Sequence, residues 1–373
     1  MSNNHLIIGL GGTGGKIIKA FRKSIYEEFR NIEPIGSDGR HHAVHVSYLY
    51  IDSSATDLAA SENWRTQGEI GALIALDERN RLSIAHNDLQ TRLRDAEHFP
   101  LTHRYIGNPA LWTDIFSQMN VQQAAGGQMR RLGAALFEPQ CRAFVERVRT
   151  LSNELADGSG IQGVGFHVCC GLAGGTGAGS FLHVIAQLRA AFPNAGHFPI
   201  YLYLLLPDRD SDWASNGEKT NYYANGYAAL QELNAYLLSN PQDGPNKGGP
   251  LFAPYDLTGS SIRFENQAAG GRTKLLDRLN GCFVLSNINE RNHVIGVKNE
   301  EIHNLVAQLT FQRIFLIDSA DAGQYRPLRD AITLENIVIE DEGQSTDPTQ
   351  KVRSTRFLTF GLKRLLVPEE EIR

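Results

Sequence analysis

Residues 171–180 read Gly-Leu-Ala-Gly-Gly-Thr-Gly-Ala-Gly-Ser and stand between two patterns of different period. An apolar run at 165–170 (GFHVCC) precedes them, and 181–192 (FLHVIAQLRAAF) carries apolar residues at helical spacing. We therefore predict a strand, a glycine loop and a helix. Glycines leave backbone N–H groups unshielded, the helix adds its positive N-terminal end, and Thr176 and Ser180 add hydroxyls. This arrangement favours a di- or triphosphate ligand over a plain glycine-rich surface loop.

Within this stretch, residues 173–179 (AGGTGAG) resemble the GGGTGSG signature of the tubulin/FtsZ superfamily. The Gly-Gly-Thr-Gly-x-Gly core matches residue by residue, with Ala173 in place of the first glycine and Ala178 in place of the serine. The resemblance implies an α/β fold, in which a parallel-sheet tubulin/FtsZ-like nucleotide-binding domain carries a long central helix and the start of a second domain. We expect the nucleotide to contact Gly174, Gly175, Thr176, Gly177, Gly179 and Ser180.

A second glycine-rich stretch, residues 9–15 (GLGGTGG), follows a short apolar strand and opens an amphipathic helical pattern at 16–30. It does not fit a P-loop, because Ile17 stands where that motif needs Ser or Thr. It does satisfy the G-x-G-x-x-G dinucleotide fingerprint, but that fingerprint wants an acid about 20 residues on, and the second strand ends only at Asp52. Paired with 171–180, it fits best as the superfamily's first phosphate loop. This interpretation places phosphate contacts at Gly11, Gly12, Thr13 and Gly14.

Asp52 directly follows a mostly buried strand predicted at 44–51 (VHVSYLYI). Open α/β sheets place ligands at the carboxyl ends of their strands. Superfamily acids at this point lie near the phosphates and magnesium, so the resemblance makes Asp52 a contact of both the nucleotide and the metal. A plain helix N-cap is the alternative role for Asp52.

The stretch 124–130 (AAGGQMR) precedes a helix predicted at 132–151 and resembles the superfamily's γ-phosphate loop, an Ala/Gly-rich turn that opens a helix. The resemblance assigns Gly126 and Gly127 to that loop. Arg130, or the arginine that follows it, would neutralise phosphate charge.

Three further residues are expected on the ribose and base side of the nucleotide. Asp208 follows an apolar strand at 200–206 and resembles the superfamily's ribose-side loop. Asn287 follows the next apolar strand, where the superfamily reads the guanine edge with the donor and acceptor of an amide. His303 lies in the first turns of a long helical pattern at 299–317 and would stack on the base or bond to it.

Beyond the long helix, Asp318 and Asp321 match in spacing the two acids of a superfamily loop that completes the active site of the next subunit. Leu316 replaces the asparagine that precedes these acids in the superfamily. The resemblance implies GTP/GDP and Mg²⁺ as cofactors, and GTP hydrolysis coupled to head-to-tail assembly into a homo-oligomer or filament. The alternatives are a non-hydrolysing structural or regulatory nucleotide-binding module and an NAD-binding Rossmann oxidoreductase.

The length, composition and net charge of the chain exclude several classes of protein. At 373 residues, with 42% hydrophobic and 21% charged residues, the chain predicts a globular protein of two subdomains or one large domain. We assign 1–320 to the nucleotide-binding domain, and 321–373 to a linker and the beginning of a second domain with a strand at 357–366. The net charge of −5 argues against nucleic-acid binding, and no apolar run reaches the roughly 18 residues of a transmembrane segment. With no signal-peptide pattern and no Cys-x-x-Cys, we expect a cytoplasmic protein with reduced thiols.

Overall fold

The structure is a computed structural model. It describes residues 4–29, 44–62, 64, 74–85, 89–95, 98, 106, 128–208, 219–238, 279–289, 291–294, 300–317 and 357–359. The predicted site residues that lie outside the described residues are Gly126, Gly127, Asp318 and Asp321.

One sheet organises the described residues, and all of its strands are parallel. The strands are β1 Asn4–Leu10, β2 His45–Asp52, β3 Arg81–Ser83, β4 Gly165–Gly171, β5 Ile200–Leu205 and β6 Gly281–Leu285. Their order across the six-stranded sheet is β3-β2-β1-β4-β5-β6. The long strands read as continuous apolar runs because helices cover both faces of the sheet. The predicted parallel α/β sheet is thus confirmed.

Helices pack on the two faces in two separate cores. They are α1 Gly11–Phe29, α2 Ala55–Glu62, α3 Leu89–Arg94, α4 Arg130–Phe137, α5 Cys141–Ser159, α6 Thr176–Ala191, α7 Lys219–Leu238 and α8 Glu300–Gln312. On one face, α1 and α8 bury Phe21 and Val306 in the same apolar cluster. On the other face, α4, α5 and α6 bury Leu132, Phe144 and Phe181 in a second cluster. The helices that follow β1 and β4 therefore lie on opposite faces.

The order of the strands reverses between β1 and β4. From β1 the chain adds β2 and β3 on one side, and from β4 it adds β5 and β6 on the other. Because α1 and α6 leave these two central strands toward opposite faces, a crevice opens at the carboxyl ends of β1 and β4. Both glycine-rich stretches begin at this crevice.

The glycine loops are shorter than predicted. Helix α1 already begins at Gly11 and α6 at Thr176, so most of the predicted loop glycines lie in the first turns of helices. The first turn is tight, since a Cβ on Gly14 would lie 2.5 Å from the carbonyl carbon of Gly9. Gly11 has a φ of +67°, a left-handed conformation that favours glycine. These positions need glycine for the turn itself, with or without a ligand.

Two helices that the sequence predicts as single α-helices are interrupted in the structure. The helix predicted at 132–151 is the pair α4 and α5, joined by the 3₁₀ turn Glu138–Gln140. Pro139 lies in this turn, and its missing N–H prevents one continuous helix. The long helix predicted at 299–317 ends as regular α-helix at Gln312 and continues as a π-helical segment, Arg313–Ile317.

Two edges of the sheet also differ from expectation. The sequence pattern does not predict β3, because its three residues are too few to show a period. Of the strand predicted at 357–366, the structure describes 357–359, where Leu358 forms a parallel bridge with Phe283 of β6. This short segment therefore pairs with the main sheet. The division at residue 320 stays a prediction.

Helices α4 and α6 touch through glycine backbone, because a Cβ on Gly179 would lie 2.2 Å from the carbonyl oxygen of Arg130. We expect Gly179→Ala to lower the free energy of unfolding by about 1–3 kcal/mol, since the backbone must shift to admit the methyl group. The matched control is Gly158→Ala in α5, where a Cβ meets only His45, at 3.7 Å. Helix propensity predicts a gain of up to about 1 kcal/mol for the control. Urea unfolding measures both variants, and equal stabilities would contradict this packing.

Candidate functional site

A cavity of about 680 Å³ lies at the crevice. Its lining comes from the N-terminal half of α1, the end of β2, α2, the turn between β4 and α6, Gln128 before α4, and parts of α7 and α8. Of the predicted site residues, the cavity brings together Gly11, Gly12, Thr13, Asp52, Gly174, Gly175, Thr176, Gly177, Asp208 and His303. Residues more than 290 positions apart in sequence thus meet at one edge of the sheet.

The two helix N-termini meet across this cavity. A Cβ on Gly11 would lie 3.1 Å from the backbone nitrogen of Gly177, which fixes how closely α1 approaches α6. By contrast, a Cβ on Gly12 or Gly174 would meet no atom within 4 Å, although both residues line the cavity. Two positive helix ends therefore face one open space, which suits a ligand with several negative charges.

Asp52 joins the end of β2 to the second glycine turn. Its carboxylate accepts hydrogen bonds from the Tyr50 hydroxyl (2.7 Å), the Ser54 backbone N–H (3.1 Å) and the Thr176 hydroxyl (3.3 Å). The hydroxyls of Ser53 and Thr176 lie 2.6 Å apart. Burial raises the pKa of Asp52, and the hydrogen bond from Tyr50 acts in the opposite direction. Asp52 is therefore a buried carboxyl held by hydrogen bonds beside the predicted phosphate position.

Tyr50 is a site residue that the sequence reasoning missed. It lines the cavity, and a Cβ on Gly15 would lie 2.7 Å from its ring, so its ring packs on the backbone of α1. Tyr50 and Asp52 are two residues apart on one strand and therefore point to the same face. That spacing is the signal that could have linked this aromatic residue to the acid.

Helix α7 holds the segment that follows β5. The Tyr222 hydroxyl accepts a hydrogen bond from the Asp208 backbone N–H (3.1 Å), and the Tyr223 hydroxyl donates to the Asp208 carbonyl (3.2 Å). Burial raises the pKa of Asp208, while the hydrogen bond with Tyr222 and the charge of Lys16 lower it. Lys16 and Tyr222 both line the cavity, so a cation from α1 and an aromatic side chain from α7 lie around Asp208.

The same helix also fixes the turn before α4. The Asn225 side-chain amide donates to the carbonyl of Gln128 (2.6 Å) and to the carbonyl of Ala173 (3.0 Å). Further along α7, Glu232 pairs with Arg130. The Arg130 side chain thus points to α7, and Arg130 does not line the cavity in which we expected it to neutralise phosphate.

Four other predicted contacts lie away from the cavity lining. Gly14 packs on Gly9 and Gly179 on α4, as described above. The Ser180 hydroxyl donates to the carbonyl of Thr176 within α6 (2.7 Å). Asn287 is buried after β6, with 4% of its surface exposed. Of the residues predicted to contact the base, His303 lines the cavity, together with its neighbour Asn304 on α8.

Residues 6–373 match a family of proteins described as tubulin like. The chain belongs to the tubulin-like family. The resemblance that rests on residues 173–179 is thereby confirmed. No curated protein matches the sequence.

Three solved structures are similar to this tubulin-like chain. CetZ from Methanosaeta thermophila strain DSM 6194 is 15% identical, with a TM-score of 0.48 over 89% of this chain and 59% of that chain. CetZ1 from Haloferax volcanii, described as a GDP bound monomer, is 13% identical, with a TM-score of 0.43 over 85% and 62%. CetZ2 from Haloferax volcanii, described as a GTPγS bound protofilament, is 14% identical, with a TM-score of 0.41 over 84% and 60%. The chain spans about three fifths of the length of these structures.

Two kinds of feature are absent from the part of the chain that the structure describes. None of its helices combines the length and the apolar character needed to cross a membrane. Likewise, the described residues contain no group of three or more His, Cys, Asp or Glu placed to hold a metal ion by themselves.

Burial of Asp52 predicts an effect on stability. It raises the pKa of this carboxyl and so disfavours the ionised form in the folded protein. We expect Asp52→Asn to raise the melting temperature of the ligand-free protein near neutral pH. The gain should shrink as the pH falls, since the wild-type carboxyl then takes up its proton in the folded state. Thermal unfolding across pH measures this, with Asp157→Asn at an exposed position of α5, away from the cavity, as the control. A lower melting temperature for Asp52→Asn at neutral pH would contradict the account.

Proposed function

We propose that this tubulin-like chain binds GTP and GDP with Mg²⁺ in the cavity, and hydrolyses GTP within a head-to-tail assembly of identical subunits. One observation carries the proposal: the N-termini of α1 and α6 meet across open space beside Gly12 and Gly174. Backbone N–H groups and two helix dipoles would hold the phosphates there. Membership of the tubulin-like family supports guanine nucleotides as the ligand.

The oxygen atoms beside the second glycine turn fit magnesium. This ion prefers oxygen ligands and is commonly held by one or two carboxylates together with substrate phosphates. Asp52 would hold the ion, with the hydroxyls of Ser53 and Thr176 next to it. When bound, Mg²⁺ neutralises charge on the phosphates. The cation of Lys16 would add to that neutralisation from α1.

A dinucleotide oxidoreductase is the competing function, and the strand order of the sheet is also that of NAD-binding folds. In those folds the acid at the end of β2 binds the ribose hydroxyls. Here the carboxylate of Asp52 accepts a hydrogen bond from Thr176 in the second glycine turn. That contact and the family membership favour a phosphate-side role for Asp52 and a guanine nucleotide.

Turnover in this proposal depends on the neighbouring subunit. Asp318 or Asp321 would reach the nucleotide of the next subunit and orient the attacking water, as the superfamily resemblance implies. Both acids lie outside the described residues, and the domain division at residue 320 belongs to the same proposal. A nucleotide-binding module without turnover is the alternative, which the absence of hydrolysis would favour.

Binding of GTP tests the proposed phosphate position. We expect Gly174→Val to lower GTP affinity by tenfold or more, roughly 1.4 kcal/mol or above, because the side chain enters the space of the phosphates. Its melting temperature without nucleotide should stay near that of the wild type, since the added Cβ meets no protein atom within 4 Å. Gly158→Val in α5 is the matched control and should bind normally. Calorimetry that finds unchanged GTP affinity for Gly174→Val would contradict this phosphate position.

Hydrolysis tests the proposed turnover between subunits. A head-to-tail interface is heterologous and propagates unless it closes, so hydrolysis should rise more steeply than linearly with protein concentration. Asp318→Ala and Asp321→Ala should bind GTP normally, and the more important of them should lose hydrolysis. Mixing that variant with Gly174→Val should partly restore turnover, because mixed interfaces pair an intact pocket with an intact acid. Phosphate release measures hydrolysis, and light scattering measures assembly. A hydrolysis rate that rises only linearly with protein concentration, without light scattering, would favour the nucleotide-binding module without turnover.

A further inference from the structure

Tyr50 places its hydroxyl group on one oxygen of the Asp52 carboxylate. The hydroxyl donates a hydrogen bond to Oδ2 at 2.7 Å, and both residues line the cavity. Tyr50 is 2% exposed and belongs to the apolar cluster around α1, so its ring has little room to move. An ionised carboxylate can only accept hydrogen bonds, and the tyrosine hydroxyl supplies the donor. This hydrogen bond therefore fixes the position of Oδ2.

Gly15 of α1 makes room for the hydroxyl end of Tyr50. A Cβ on Gly15 would lie 2.7 Å from the ring carbon that bears the hydroxyl, and 3.0 Å from the hydroxyl oxygen. A larger residue at this position would press on the ring and move the hydroxyl. The ring is thus held between β2, to which it belongs, and the backbone of α1.

The other oxygen of Asp52 faces the second glycine turn. Oδ1 accepts a hydrogen bond from the Ser54 backbone N–H at 3.1 Å and lies 3.3 Å from the Thr176 hydroxyl. That hydroxyl lies closer to the hydroxyl of Ser53, at 2.6 Å, and it has a single hydrogen to donate. Thr176 can therefore turn its hydrogen to Ser53 and leave a lone pair of Oδ1 to a cation. The two oxygens thus differ, because Tyr50 occupies Oδ2 while Oδ1 can still bind a metal ion.

Magnesium and calcium use carboxylates in different ways. Mg²⁺ is the smaller ion, requires nearly octahedral geometry and keeps several of its water ligands. Ca²⁺ takes more oxygen ligands in a flexible geometry, and it often binds both oxygens of one carboxylate. A carboxylate that has one oxygen held by a hydrogen-bond donor therefore suits Mg²⁺ better than Ca²⁺.

We propose that Tyr50 makes the site selective for Mg²⁺ over Ca²⁺, because it holds Oδ2 of Asp52 and leaves a single oxygen of the carboxylate to the cation. The inference rests on the proposed function and adds the residue that sets the choice of metal. Tyr50 acts through Asp52, so it is a positioning residue. Groups that hydrogen-bond to a metal-binding side chain typically change metal affinity by about 10–100-fold when they are replaced.

The test measures metal binding without turnover. Protein loaded with GTPγS is titrated by calorimetry with MgCl₂ and, separately, with CaCl₂, and the two affinities give a ratio of Mg²⁺ to Ca²⁺ binding. Tyr50→Phe removes the hydroxyl and keeps the ring that packs on Gly15. The ratio should fall about tenfold in this variant, mainly through tighter Ca²⁺ binding, because Oδ2 can then bind Ca²⁺ together with Oδ1.

Tyr203→Phe is the matched control. Tyr203 is also a buried tyrosine, its hydroxyl lies 3.2 Å from Nδ1 of His167, and it does not line the cavity. This variant should melt at a lower temperature, because a buried hydrogen bond is lost, and its metal ratio should equal that of the wild type. In an Asp52→Asn background, adding Tyr50→Phe should not change the ratio further, because the effect of Tyr50 passes through Asp52.

The outcomes separate this inference from the proposed function. A wild type that binds Mg²⁺ together with GTPγS and a Tyr50→Phe variant with the same metal ratio would overturn the inference alone. Equal weakening of both metals would also overturn it, because Tyr50 would then support Asp52 without selecting the cation. A further change of the ratio in the Asp52→Asn background would overturn the route through Asp52. A wild type that binds no guanine nucleotide would overturn the proposed function, and the inference with it.

Discussion

The structure depends on backbone contact between the turns that follow β1 and β4. Gly11 approaches the backbone nitrogen of Gly177 so closely that an added Cβ would lie 3.1 Å away. Gly9 and Gly14 close the first of these turns in the same way. Larger side chains would push α1 and α6 apart and move the ends of the central strands. Glycine at these positions allows the two turns to pack closely. It also leaves the N–H groups of two helix ends open to an anion.

Hydrogen bonds from two other elements hold this arrangement in place. From β2, Asp52 binds Thr176 while Tyr50 packs on α1, so the end of the strand contacts both glycine turns. From α7, Asn225 binds the carbonyls of Ala173 and Gln128. The cavity is therefore built by long-range contacts at one edge of the sheet, and a ligand there would contact several elements at once.

The sequence predicts the parts of the site that have a local pattern. Strand, glycine turn and helix follow each other within about 25 residues. The period of the apolar residues and the glycine content were therefore enough to predict Gly12 and Gly174 in the turns that line the cavity. Local patterns could not distinguish the glycines that face the cavity from those, like Gly179, that allow a neighbouring helix to pack closely. Nor could they show that Arg130 would find Glu232, or that Asn225 would hold Gln128, about 100 residues away. These contacts arise only when α4, α6 and α7 pack together.

The central claim is that the cavity holds a guanine nucleotide. The most direct measurement is to denature the purified protein and to identify the released small molecules by mass spectrometry. The account predicts GDP or GTP in the released fraction. NAD in that fraction, with no guanine nucleotide retained even after incubation with excess GTP and Mg²⁺, would contradict it.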